Sequence, residues 1–156
     1  MLAAIKSLFR QPKPAGPPRI LKRFDSSEAT VTQSALKLED DAWSVQVSDG
    51  RSVKLFEFRP PALEPGKLTY RADLKSQHLD GKAYLEIWCR FPGRGEFFAR
   101  GLHDPVMGSS DWASYEVPFF LKPDEVPDLL KVNLAVEGSG QVWIRNIELE
   151  HTPLDW

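Results

Sequence analysis

LLKVNLAVEG, residues 129–138, sets an aliphatic residue at every second position. The even-numbered residues from Leu130 to Val136 are aliphatic, and the polar residues Lys131 and Asn133 lie between them. Successive side chains of a β-strand point to opposite faces of a sheet, so this pattern predicts a strand with one face in a core and one toward water. The same period recurs in GKLTYRADLKS, residues 66–76, and in KAYLEIWCRF, residues 82–91.

Six more stretches alternate in the same way and predict strands at residues 30–38, 43–47, 52–58, 97–102, 112–121 and 142–150. Turn residues separate the strands, among them Asp80-Gly81 and Gly138-Ser139-Gly140. About nine short strands with this spacing predict an all-β fold, an antiparallel two-sheet β-sandwich of the jelly-roll type. Large aromatic residues should fill the space between the sheets. The candidates for this core are Trp43, Trp112, Tyr115, Phe119 and Trp143.

The composition argues against several classes of function. The net charge of −2, with acids and bases interspersed, is unlike the basic excess of a nucleic-acid-binding protein. Cys89, the single cysteine, excludes an intramolecular disulfide, and its place in the alternation predicts an inert buried thiol. The three histidines show no metal-ligand spacing, and the sequence has no nucleophile elbow or P-loop. We therefore expect no enzyme activity, cofactor or metal site.

The N-terminal residues form a separate segment. Leu2, Ile5, Leu8 and Phe9 share one face of a predicted short helix. This helix is either loosely docked, or a small anchor for a membrane surface or a partner groove. The prolines of residues 12–18 predict a semi-rigid linker, which divides the chain into residues 1–18 and a β-sandwich domain of residues 19–156. No transmembrane span or signal-peptide pattern occurs, which predicts a cytoplasmic protein.

The closing third of the chain carries a family pattern. A G-[ST]-x-x-W-x-x-[YF] strand is followed by an aliphatic strand and then by G-x-G-x-[VI]-[WY]-[FI]-D-[DN]-[VI]-x-L. This order resembles carbohydrate-binding-module-like, galactose-binding-like β-jelly-roll domains, over most of residues 29–150. The matching positions here are Gly108, Ser109, Trp112, Tyr115, Gly138, Gly140, Val142, Trp143, Ile144, Asn146, Ile147 and Leu149.

The last strand departs from strict alternation. Ile144 and Ile147 both look like core residues although they are three apart, which predicts a β-bulge at Arg145-Asn146. In the similar domains an aspartate often stands at the position of Arg145 and helps to hold a structural calcium. Arginine cannot ligate a cation. The sequence therefore argues against that calcium site and suggests that Arg145 pairs with a nearby acid.

One polar strand face is the candidate ligand site. Tyr84, Glu86, Trp88 and Arg90 point the same way, and Lys131 and Asn133 join them if their strand lies in the same sheet. An aromatic wall with a few polar anchors is typical of ligand sites. The same residues could instead stabilise an exposed sheet by cross-strand pairing. The resemblance implies a non-catalytic module that binds carbohydrate through this face. The alternative is an intracellular interaction or scaffold protein whose partner is another protein.

Overall fold

The computed structural model describes residues 12–156, which form nine strands paired in antiparallel fashion. The predicted N-terminal helix, with Leu2, Ile5, Leu8 and Phe9, lies outside the described residues. The strands are β1 (Lys13–Pro14), β2 (Arg19–Phe24), β3 (Leu36–Glu39), β4 (Ala42–Val47), β5 (Arg51–Phe58), β6 (Gly66–Phe91), β7 (Gly95–Arg100), β8 (Val106–Leu121) and β9 (Leu129–Asp155).

Two long strands organise the molecule. β6 and β9 pair along almost their whole length, from Gly66 opposite Pro153 to Arg90 opposite Leu129. One half of this strand pair contains the C-terminal part of β6 and is flanked by β5 and β7. We name this half, with its flanking strands, the first layer. β2, β4 and β8 flank the other half, the second layer, and β3 extends it beside β4. The predicted β-sandwich is thus confirmed, and its layers are two halves of one continuous sheet.

The sheet folds over at a pair of glycines. Gly81 lies opposite Gly138 where β6 and β9 bend together, and both have a positive φ, of 113° and 91°. The prediction that these glycines form turns between separate strands is therefore wrong. Glycine is needed because each backbone approaches the other too closely for a Cβ: one on Gly81 would meet the carbonyl oxygen of Glu137. Both strands pass through the bend and continue into the other layer.

Aliphatic side chains fill the space between the layers. Tyr70 crosses this core, and its hydroxyl donates a hydrogen bond to the carbonyl oxygen of Asn133 at 3.2 Å. The thiol of Cys89 is fully buried, as predicted, and burial raises its pKa because the thiolate would be desolvated. The largest fully buried side chains are Tyr70, Leu55, Leu68, Leu74, Leu85, Ile87, Leu121, Leu130, Leu134, Ile144, Ile147 and Leu149.

The predicted aromatic core is only partly correct. Trp43 is buried, and Tyr115 and Phe119 are half-buried against the core. The prediction is wrong for Trp112 and Trp143, which are half-buried outside the core. Trp143 points outward because the buried residues Val142 and Ile144 flank it in the alternation. Its indole nitrogen donates a hydrogen bond to Glu39, and the Arg145 guanidinium carbon lies 4.0 Å from the centroid of the Trp112 ring.

The predicted bulge in the last strand is confirmed. Arg71 lies opposite Glu148 and Asp73 opposite Arg145, so β9 has one residue more than β6 between these pairs. Asn146 takes up the extra residue with a φ of 55°. Arg145 lies 3.6 Å from the carboxylate of Asp73, which agrees with the suggested pairing to an acid.

The proline-rich stretch lies beside the end of the chain. Lys13 and Pro14 pair with Asp155 and Leu154, and the amide of Ala15 donates to the carbonyl of Pro153 at 2.9 Å. The boundary at residue 18 stays a prediction. Among residues 12–156, no helix has the length and apolar character needed to cross a membrane.

Candidate functional site

The outer face of the first layer carries a pocket of about 310 Å³. Its floor comes from neighbouring strands: Asn133 of β9 pairs with Lys54 of β5 on one side and with Glu86 of β6 on the other. Arg100 of β7 lies opposite Glu86 and completes the row. The pocket is lined by Val31, Ser52, Lys54, Phe56, Glu57, Glu86, Trp88, Glu96, Arg100, Lys131 and Asn133.

The carboxylate of Glu86 is the centre of this floor, and the residue is only 4% exposed. One carboxylate oxygen accepts hydrogen bonds from the Asn133 amide at 3.0 Å and from the Trp88 indole at 2.8 Å. The hydroxyl of Ser52 reaches the same oxygen at 3.3 Å. The other oxygen accepts from Nε of Arg100 at 2.7 Å. Four side chains from four strands are therefore held in place by one acid.

Glu86 is charged at neutral pH. Burial alone would raise its pKa, but hydrogen bonds from Asn133, Trp88 and Arg100 outweigh burial and hold the pKa below the ordinary value for a glutamate. Because its acceptor sites are occupied by the protein, we assign Glu86 to positioning the pocket. The groups left to contact a ligand are those around it.

Trp88 forms an aromatic wall of the pocket. Its ring lies 4.8 Å from the ring of Phe98, centroid to centroid, on the neighbouring strand. The guanidinium carbon of Arg100 lies 4.2 Å from the centroid of Phe98. The indole hydrogen bond to Glu86 fixes the rotation of the Trp88 ring. Trp88 is thus an oriented, half-buried apolar surface beside polar groups.

Charged side chains surround this wall. Nζ of Lys131 lies 2.7 Å from Oε1 of Glu96. Lys54 and Glu57 also line the pocket, and neither has an ion pair within 4.0 Å among the described residues. The pocket therefore offers both hydrogen-bond donors and acceptors, a mixture that suits a polyhydroxylated ligand.

A solved domain shares this architecture. The CBM22-1 xylan-binding domain of Xyn10C from Paenibacillus barcinonensis matches with a TM-score of 0.51 and 10% identity, over 89% of this chain and 98% of that domain. The chain has the β-sandwich fold of carbohydrate-binding modules. A family 29 carbohydrate-binding module complexed with mannohexaose also matches, with a TM-score of 0.48 and 16% identity over 87% of this chain and 91% of that one. No protein-family model matches the sequence, and no curated protein matches it.

On this carbohydrate-binding-module fold, four of the six predicted site residues line one pocket: Glu86, Trp88, Lys131 and Asn133. Two others do not line it. Tyr84 is 7% exposed, and burial raises the pKa of its hydroxyl. Arg90 makes two hydrogen bonds to the carboxylate of Asp128, at 2.9 and 3.1 Å. The described residues contain no cluster of three or more His, Cys, Asp or Glu side chains that could hold a metal ion.

Sequence reasoning missed the residues that β5 and β7 bring to the pocket. Ser52 and Lys54 alternate with the buried Val53 and Leu55, so the period of two already placed them on an outer face. Glu96 and Arg100 occupy alternate positions of β7 in the same way. The missing information was which strands are neighbours, because alternation assigns a face and does not assign a partner strand.

Glu86→Gln should lower the free energy of unfolding at pH 7 by about 1–3 kcal/mol, because Arg100 then loses its charged partner. The folded-state pKa of Glu86 lies below the unfolded one. Its contribution is therefore complete above the unfolded pKa of about 4.3 and is lost as the pH falls through the folded pKa. Urea unfolding of both proteins at pH 7 and pH 3 should show the difference shrinking in acid. A difference independent of pH would contradict the assigned role of the charge.

Proposed function

We propose that the chain is a non-catalytic carbohydrate-binding module whose ligand occupies the pocket around Trp88. The observation that carries the proposal is the orientation of the Trp88 ring. Glu86 holds the indole nitrogen, so the ring is fixed before a ligand arrives. An aromatic surface of this kind packs against the C–H groups of a sugar ring, while neighbouring polar side chains bond to its hydroxyls.

The polar part of the pocket supports a glycan as the ligand. Lys54 and Arg100 can donate hydrogen bonds and Glu57 can accept them, so hydroxyl groups find partners of both kinds. Arg100 uses Nε for Glu86, which leaves its two terminal nitrogens for a ligand. Glu86 already holds the side chains of Trp88 and Arg100, which lowers the ordering cost of binding at these two positions.

Trp88→Ala should weaken glycan binding by about 10- to 100-fold, since a central aromatic contact is typically worth about 1.5–3 kcal/mol. A glycan array of the wild type would first identify a bound oligosaccharide, and titration calorimetry would then compare the variants. Trp143→Ala is the matched control, because Trp143 is also a half-buried outward tryptophan but lies on the second layer.

Equal affinity of the wild type and the Trp88→Ala variant for that oligosaccharide would reject the pocket as the site. If a folded wild type binds no glycan on the array, the proposed ligand class is wrong, and a protein partner becomes the explanation to test.

A further inference from the structure

β7 lies at an edge of the first layer. It pairs with β6 on one side, and no other described strand pairs with it. Five of its six residues are exposed, among them Phe97 at 50% and Phe98 at 48%. A strand edge presents unpaired N–H and C=O groups, which can bind another strand.

Other edges of this sheet are protected, and β7 is not. At the opposite edge of the first layer, the amides of Val31 and Thr32 donate to the carbonyls of Leu55 and Lys54 at 2.8 and 2.9 Å. In the second layer β3 has only four residues, β8 contains Pro118, which has no N–H, and β2 contains Lys22 and a register shift beside it. β7 pairs in regular register and contains no proline, lysine or bulge.

The hydrogen-bond pattern tells which backbone groups of β7 are free. The amide of Gly101 donates to the carbonyl of Leu85 at 2.9 Å. In an antiparallel pair, bonded and non-bonded positions alternate along the strand. Phe97 and Ala99 therefore direct their N–H and C=O groups toward β6. Glu96, Phe98 and Arg100 direct theirs toward the open edge.

The sequence of β7 is complementary to itself about Phe98. We propose that β7 pairs antiparallel with β7 of a second copy of this chain, with Phe98 opposite its own symmetry mate. In this register Glu96 lies opposite Arg100 of the second copy, and the reverse pair forms by symmetry. Because all three positions have free backbone groups, this register allows six backbone hydrogen bonds between the copies.

The side chains agree with the same register. Glu96 uses one carboxylate oxygen for Lys131, and the other oxygen remains for Arg100 of the second copy. Phe97 would lie beside Ala99 of the second copy, so a large side chain meets a small one. Shifting the register by two residues would set Glu96 opposite Phe98 and lose both charge pairs. Charge and size together therefore favour one alignment.

The paired strands would join two first layers into one sheet, with the two pockets side by side, since Glu96 and Arg100 also line the pocket. The pairing does not require a ligand in the pocket. A pair of six-residue strands, one from each copy, buries less than the roughly 1,000 Å² of a stable interface. We therefore expect a dimer that forms and dissociates with concentration.

Sedimentation velocity of the full chain over a series of concentrations tests the proposal. The wild type should shift from the 17.7 kDa monomer toward twice that mass as its concentration rises. Phe98→Pro should remove the dimer, because it deletes an outward N–H that β6 does not use. Glu96→Arg should raise the dissociation constant by about tenfold, because two like-charge pairs replace two opposite ones. Asp49→Arg makes the same charge change on an exposed turn and should leave the dissociation constant unchanged.

Circular dichroism establishes whether each variant is folded. If Phe98→Pro does not fold, Glu96→Arg alone decides the test. Hydrogen exchange adds a readout specific to the edge. The amides of Glu96, Phe98 and Arg100 should gain protection at high concentration, while those of Phe97 and Ala99 stay unchanged. A wild type that remains monomeric at about 1 mM, or a dissociation constant that Glu96→Arg leaves unchanged, would overturn the proposal.

Discussion

Gly138→Ala should lower the free energy of unfolding by more than about 4 kcal/mol. A Cβ at this position would overlap the carbonyl oxygen of Asp80, a backbone atom that cannot rotate away. The φ of 91° adds strain for any residue with a side chain. Relief of the overlap would require β6 and β9 to separate at the bend that sets the two layers face to face. Guanidinium unfolding monitored by circular dichroism measures the loss.

Gly93→Ala is the matched control for this substitution. Gly93 also has a positive φ, of 76°, but no heavy atom lies within 4 Å of the Cβ that alanine would add. Its cost should be limited to backbone strain of about 1–2 kcal/mol. Similar losses for the two variants would show that the close approach at Gly138 contributes nothing, and that the layers do not depend on this bend.

The strands of the core were predictable because apolar and polar side chains alternate along them. Val132 and Leu134 alternate with Lys131 and Asn133, and a period of two has no other common structural meaning. The path through Gly81 and Gly138 was not predictable in this way. A glycine pair looks the same in sequence whether it turns the chain back or bends two adjacent strands together. Only the pairing of residues far apart along the chain decides between these two structures.

The candidate site was likewise predictable only in part: the sequence indicated the face of each side chain but not its neighbours. Alternation correctly assigned Glu86 to an outer face but could not indicate that it is buried there. Its hydrogen-bond partners Ser52, Arg100 and Asn133 are 34, 14 and 47 residues away, and strand order alone brings them together. A polar residue on an outer face is exposed by default, and neighbouring strands can cover it without changing the pattern.

The prediction that Trp143 is a core residue fails for a different reason. Its neighbours Val142 and Ile144 are core residues, so the period of two already placed its side chain on the opposite face. The size and apolar character of tryptophan indicate a core residue, whereas the period of two indicates the outer face, and the structure follows the period. Tryptophan has an apolar body with a polar nitrogen, and at a surface both can be used. Here the nitrogen bonds Glu39 at 3.0 Å, and Nζ of Lys75 lies 4.9 Å from the ring centroid.

Trp43→Ala should cost about 3–5 kcal/mol, whereas Trp143→Ala should cost about 1 kcal/mol. Trp43 is 4% exposed, and its ring meets Phe56 edge-on at 5.5 Å, so truncation leaves a cavity between the layers. Truncation of Trp143 loses one exposed hydrogen bond and one cation–π contact, and water fills the space. For a chain of this size the melting temperature should fall by about 6–20 °C in the first variant and about 2–4 °C in the second. Equal losses would mean that Trp143 stabilises the fold as a core residue does, and that the outward face of β9 contributes as much as the inward one.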